Sequence, residues 1–317
     1  MIGTETAKRI ARQQLWSARL ALLRHGVGQN ASLFLRSRIG VVGLAIIVGF
    51  GLLALAHPIL MRTIWDGPTY DPVTGYDLAL TQQPAPPSLS HPLGTDPLGR
   101  DVLSQLMFSA RAAFALGVTA AAVTVAIATL VGAVSAYYGG LVDTFFMRLA
   151  DLVVLFPVIS LLIVLTALFE MNLLQLAVVL GILGGFGATT IIIRSQALAI
   201  KVRPYIDAAR MAGGGHLHII FSHLIPNLLP LSLLYMMFTV TSAIFAEAVL
   251  SFFGLLDIRM SWGIMIHTAQ VGGYLLGGTQ FWWLLVPAGL SITLLCAAFY
   301  LVGRGLDEVV NPRLRRR

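Results

Sequence analysis

Few side chains of this 317-residue chain could do chemistry within the apolar stretches that dominate it. Glu247 is the one carboxylate inside such a stretch. A charge at mid-bilayer costs roughly 2.5–3.5 kcal/mol on insertion scales, so Glu247 should face a cavity, a transport path or a hydrogen-bonding partner. It lies towards one end of its run, where that cost falls, and a structural hydrogen bond to the loop after Gly254 accounts for it at least as well as a place on a path. His216, His218 and His223 have ligand chemistry, but spacings of two and five do not converge on one helix face, so no metal site is expected. The aspartates between positions 66 and 101 lack calcium-loop spacing. Cys296, the only cysteine, can close no intramolecular disulfide. There is no Gly-x-x-x-x-Gly-Lys-Ser/Thr run, since neither Lys8 nor Lys201 follows a glycine, and no nucleophile elbow, zinc-protease motif or dinucleotide fingerprint. No catalytic residue and no cofactor are expected. Energy for any transport must come from another subunit or from an ion gradient.

The most informative polar segment is RPYIDAARMAGGGHLHIIFSHLIPNLLP, Arg203 to Pro230. Pro204 suits a helix first turn, and Asp207 lies early enough to favour the positive end of its dipole. Ala208, Ala209 and Ala212 make that helix thin. Gly213-Gly214-Gly215 supplies left-handed freedom for a sharp turn. A second short helix, about 217–224, is expected to end at Pro226 and Pro230. Two membrane spans can be joined by far less, so this compact unit reads as a docking surface.

The elements that must position these groups are membrane helices. The chain is 57% hydrophobic and 11% charged, with mean hydropathy +0.84, the composition of a polytopic membrane protein. Six runs can each cross a core of roughly 30 Å at about 1.5 Å per residue: Ile39–Ala56, Ala112–Tyr138, Leu152–Phe169, Leu173–Ile193, Leu231–Phe253 and Phe281–Val302. An even number puts both termini on one side, and 17 of the 21 Lys and Arg residues fall there, so that side is expected to be cytoplasmic. The net charge of +7 then reflects orientation rather than nucleic-acid binding. The expected organisation is a basic cytoplasmic tail (1–38), a six-helix domain (39–302) with an external loop (57–111) and a cytoplasmic loop (194–230), and a basic tail (303–317). The first tail lacks a signal-peptide core and should lie near anionic lipid. The second span has Gly117/Ala121 and Ala128/Gly132/Ala136 at four-residue spacing for close helix contact. Gly181, Gly184, Gly185 and Gly187 suit packing or bending of the fourth, and Pro157 and Pro287 should kink their helices.

Several runs carry a family resemblance. Asp207-Ala208-Ala209 with Gly213 and Pro226 resembles the "EAA" loop of permease subunits of bacterial and archaeal ABC importers, with Asp207, His223 and Ile225 replacing the usual glutamate, isoleucine and leucine. His91-Pro92-Leu93-Gly94-Thr95-Asp96 with Gly99-Arg100-Asp101 resembles a signature of the dipeptide/oligopeptide/nickel subfamily, and Asp101 is placed to cap the second span. Asp143, Arg148, Asp151 and Phe156-Pro157, then Ala246 to Gly254 with Ser261-Trp262-Gly263, then Gly303 to Asp307 with Asn311-Pro312-Arg313, resemble the same subfamily, with Leu256 and Arg304 as departures. The resemblance implies a type I ABC importer permease fold in a prokaryotic cell membrane. Asp207, Ala208, Ala209, Gly213, Gly214 and Pro226 would form the ATPase-coupling loop. It also implies a second homologous permease as heterodimer partner, two ABC ATPase subunits and an extracytoplasmic solute-binding protein. Di- and oligopeptides are the implied solutes first, with nickel chelates or oligosaccharides as alternatives.

From the residues alone, a secondary transporter or channel remains as a second class. That class usually places several ionisable groups within its spans, and here there is one. A membrane enzyme would need a cluster of polar catalytic groups that the sequence lacks. The orientation is testable with Thr74→Cys and His216→Cys in a Cys296→Ala background. In sealed, right-side-out cells an impermeant thiol reagent should label position 74 and spare 216, and the reverse pattern would overturn the topology.

Overall fold

A computed structural model describes residues 32–310. The basic tail up to position 31 and the Asn311-Pro312-Arg313 run lie outside the described residues. Among those described, the chain is helical apart from loops and one isolated bridge between Thr95 and Asp101. We label the main helices α1 (Arg38–Thr63), α2 (Val102–Tyr138), α3 (Gly140–Leu155), α4 (Val158–Leu168), α5 (Leu173–Gly185), α6 (Ala188–Lys201), α7 (Pro204–Met211), α8 (His216–Ile219), α9 (Ile225–Phe252), α10 (Trp262–Val271) and α11 (Trp282–Val310).

Four helices are individually long and apolar enough to cross a membrane, and the number is six when two bent pairs each count as one span. The third run is broken rather than kinked. Helices α3 and α4 meet at 84°, because Phe156 precedes a proline and is driven out of the helical region (φ −79°, ψ 132°). Pro157 is extended as well (φ −64°, ψ 107°), so two successive residues leave the helix. Helices α5 and α6 meet at 43°, where Gly187 departs from helical geometry (φ −98°, ψ −144°) and the Thr190 hydroxyl donates to the Gly185 carbonyl. Pro287 lies inside α11 without ending it.

Helix α2 is the hub, with α1, α5, α6 and α9 packed around it. Lipid tails are as apolar as leucine, so nothing hydrophobic drives helices together in a membrane and close backbone approach must do so. Accordingly Ala110, Ala120, Ala121, Ala128, Ala133 and Ala136 of α2 are fully buried. A Cβ at Gly132 would stand 3.0 Å from the Arg194 backbone nitrogen, so α6 crosses there because α2 has no side chain in the way. Asp143 of α3 and Arg194 of α6 form a two-pronged ion pair that holds the broken third span to the fourth.

The boundaries differ from the expected ones at six places, and the third span begins with α3 at Gly140 rather than at Leu152. Helix α1 runs past Ala56 to Thr63, and α2 starts ten residues before Ala112, so the 57–111 loop narrows to 64–101. Helix α11 continues past Val302 to Val310, removing 303–310 from the expected tail. The 194–230 loop loses its ends to α6 and α9. Segment 102–111, which the expected cap at Asp101 leads into the second span, buries Ser104, Gln105 and Ser109, the first two against the preceding loop. The Ser104 hydroxyl donates to the Tyr70 carbonyl at 2.6 Å, and Gln105 Nε2 reaches Asp96 at 2.9 Å.

That loop is fastened by charge. Asp101 caps α2 as expected, accepting from the Ser104 amide at 2.6 Å. His91, itself buried, reaches Asp101 at 2.8 Å and Asp77 at 3.1 Å. Asp96 pairs with Arg100 at 2.5 Å and accepts the Leu98 and Arg100 amides at 2.9 Å. Burial pushes the Asp101 carboxyl above the usual carboxylate range. The Ala79 amide, and then the His91 ring, hold Asp77 below it. Asp77 therefore contributes stability above the unfolded carboxylate pKa of about 4, and loses it as pH falls through its lower folded value. Asp101→Ala removes a helix cap and strands one nitrogen of His91, so the protein should lose on the order of 2 kcal/mol. Asp101→Asn, which keeps the capping oxygen, should lose less. Thermal unfolding in detergent measures both, and an unchanged midpoint for the alanine variant would contradict this role.

Candidate functional site

Helix α7 begins at Pro204 and carries Asp207 in its first turn, 3.0 Å from Arg210 in an exposed ion pair. Its end is a left-handed turn. Gly213 has φ +85°, its amide donates to the Arg210 carbonyl at 3.0 Å, and the Gly214 amide donates to Ala209 at 2.9 Å. These two bonds are the paired 6→1 and 5→2 contacts of a Schellman cap, which satisfies carbonyls the helix would leave open. Ile206 is the buried side chain of α7, and it joins Ile219, Ile220, Leu224 and the end of α2 in one apolar cluster. Ala208 faces outward, and Tyr205, Met211, Leu217 and Phe221 are exposed around it.

The expected second helix does not end at Pro226 and Pro230. Helix α8 passes through a π turn, Ile220–Leu224, directly into α9, so the fifth span starts from the loop itself. Pro226 has no N–H to donate to the Ser222 carbonyl, and its ring needs room. Widening the turn, with the Ile225 amide donating to Ile220, provides that room. Asn227 Nδ2 donates to the His223 carbonyl at 2.6 Å.

One of the three histidines turns away and the other two meet. The His216 ring turns to the end of α2, where its Nδ1 lies 2.9 Å from the Tyr137 hydroxyl and its ring stacks with Tyr138 at 5.8 Å. His218 and His223 meet edge to face at 5.4 Å. Sequence reasoning missed Tyr137 and Tyr138, and their one local signal is an aromatic pair just before Gly139-Gly140.

A second feature is an open groove of about 620 Å³. Both helix breaks line it, through Val158 and Ile159 on one side and Gly187 and Thr189 on the other, with Tyr235 and Ser242 of α9 between them. Glu247 is not on its wall. That carboxylate is buried, accepts the Ser251 hydroxyl at 2.5 Å and is also hydrogen-bonded by Ser261, which lies in the loop after Gly254.

A hub helix, broken apolar spans around a groove and a structured polar loop leading into a span make this a multi-pass membrane permease. Residues 128–316 match the family described as the binding-protein-dependent transport system inner membrane component. The chain is 35% identical over 269 residues to the dipeptide transport system permease protein DppC of Bacillus subtilis, covering 84% of this chain and 82% of that one. It is 32% identical over 313 residues to the oligopeptide transport system permease protein OppC of the same organism, covering 98% and 94%. With OppC of Haemophilus influenzae it shares 31% identity over 273 residues, covering 83% and 84%. The chain belongs to this family of inner-membrane permeases of binding-protein-dependent ABC importers, in its dipeptide/oligopeptide subfamily.

The turn at Gly213 yields a direct test. A Cβ at Gly213 meets open space, so substitution there acts through backbone strain alone, about 1–2 kcal/mol for an L-residue. A Cβ at Gly214 would stand 2.8 Å from the Ala209 carbonyl that receives its own amide. Gly213→Ala should speed hydrogen exchange at amides 213 and 214 about tenfold, and Gly214→Val should raise it further. Unchanged exchange in both variants would show that the cap does not hold this turn.

Proposed function

We propose that this chain forms half of the translocation pathway for di- and oligopeptides and couples their uptake to ATP hydrolysed by partner subunits. A second, homologous permease completes the pathway, and two ABC ATPase subunits engage the loop around Asp207, Ala208, Ala209, Gly213, Gly214 and Pro226. A solute-binding protein meets the opposite face. Both termini are cytoplasmic, with the basic tails beside anionic lipid. The peptide assignment rests on the names of its relatives.

The observation that carries the reading is the loop's surface. Met211 and Leu217 are 85% and 66% exposed, on a segment whose underside is tightly packed and whose rim carries Asp207 and Arg210. An apolar centre with a charged rim is how protein interfaces are built. Rigidity beneath it is what lets a push on the surface move the span behind it. Glu247, hydrogen-bonded by two serines and off the groove wall, is read as structural.

Proteoliposomes containing this permease, its homologous partner, the two ATPase subunits and a dipeptide-loaded binding protein provide the test. Uptake of radiolabelled dipeptide should require ATP and every component. Uptake driven by an ion gradient, or by this subunit alone, would overturn the reading.

A further inference from the structure

We propose that Tyr137 and His216 are positioning residues that clamp the loop to the end of α2, so that displacement of α7 is carried into the hub helix; this rests on the loop being the ATPase contact. The two residues lie 79 positions apart, yet the Tyr137 hydroxyl meets His216 Nδ1 at 2.9 Å. The Arg210 guanidinium stands 5.7 Å from the Tyr137 ring centroid, within cation–π range. Arg210 is also the partner of Asp207. Tyr138 stacks on the other partner, His216. A continuous set of contacts thus runs from Asp207 through Arg210 and Tyr137 to His216, joining both arms of the loop to the last turn of α2.

Three observations make this more than a surface contact. Tyr137 is buried, 8% exposed, and sits in the same apolar cluster as Ile206 and Ile219. Immediately before it, Lys201 Nζ donates to the Ala136 carbonyl at 2.9 Å, so a side chain from the start of the loop holds the open end of α2. Beyond it, Gly139 and Gly140 have φ +67° and +54°, so the helix ends there and its final turn takes the load. Apolar burial of Ile206 resists separation but is not directional. The hydroxyl–imidazole bond and the guanidinium–ring contact are directional, and they fix the angle between loop and hub.

The loop has a second connection, through the π turn into α9. Removing the clamp should therefore leave hydrolysis running and spoil its yield. Tyr137→Phe keeps the ring and deletes the hydroxyl, and His216→Ala deletes the same bond from the other side. In the complete complex with its binding protein each variant should assemble, retain ATPase activity and transport roughly three- to tenfold less dipeptide per ATP hydrolysed. The double variant should be no worse than His216→Ala alone, because Tyr137→Phe breaks a bond that His216→Ala has already removed. His216→Gln, which can meet the hydroxyl again, should recover part of the ratio.

A wild-type ratio in both single variants, or losses that add in the double variant, would overturn the clamp. Failure of Tyr137→Phe to assemble would also overturn it, by showing a contact that only holds the fold. These outcomes are separate from failure of the underlying reading, which would appear as absent ATP-dependent uptake in the unsubstituted complex.

Discussion

A peptide N–H or C=O left without a partner in hydrocarbon costs several kcal/mol, so a membrane helix can break only where protein or water replaces the lost hydrogen bonds. Two spans of this chain do break, at Phe156-Pro157 and at Phe186-Gly187. Both breaks open onto the same groove, beside the hydroxyls of Thr189, Tyr235, Thr239 and Ser242. The rest of the architecture follows from where those breaks are tolerated. A face with interrupted backbone and hydroxyl groups is poorly suited to lipid and well suited to a second protein or a hydrated path. The unbroken helices α1, α2, α9 and α11 pack against one another, and the broken fourth span packs against α2 beside them.

Rigidity is obtained with very small side chains. Alanine and glycine on α2 let neighbouring backbones come close enough for dispersion contacts to accumulate where no hydrophobic drive exists. Larger residues collect at the two ends. Trp262 and Trp283 donate their indole N–H groups to the Leu106 and Thr95 carbonyls near one end, and Tyr137 occupies the other. Buried aromatics with a polar tip suit positions where apolar packing gives way to polar loops.

Much of this was legible in the sequence, because long apolar runs, a capping aspartate and a triple glycine are local signals. The hub spacing at Ala128, Gly132 and Ala136, the cap at Asp101 and the turn at Gly213 all have their causes within a few residues. The start of α2 was legible at the Asp101 cap, but the loop that buries Ser104 and Gln105 lies too far along the chain for local signals to report. The π turn was hidden because proline normally reports the end of a helix, and only the widened geometry at Ile220–Leu224 lets Pro226 stay inside. Proline at 157 and glycine at 187 announced disturbance, but the 84° and 43° angles depend on what the flanking helices pack against. Tyr137 showed only the aromatic pair before Gly139-Gly140, since its partners Arg210 and His216 lie beyond α3, α4, α5 and α6.

Helix α2 has 37 residues, about 55 Å at 1.5 Å per residue, against a hydrocarbon core of roughly 30 Å. It must therefore project beyond the core. One end is capped by Asp101, which His91 ties to Asp77, and the other meets His216 and Lys201. Long helices normally kink at proline, and α2 has none between Val102 and Tyr138. Its flanks are fixed by alanine-mediated contact with four other helices. An element that stiff responds to a push at one end by moving as a body, so the charged lock at Asp101 and the aromatic contact at Tyr137 are mechanically two ends of one lever. That gives a reason for polar networks at both ends of a helix whose middle packs mainly through alanine and glycine.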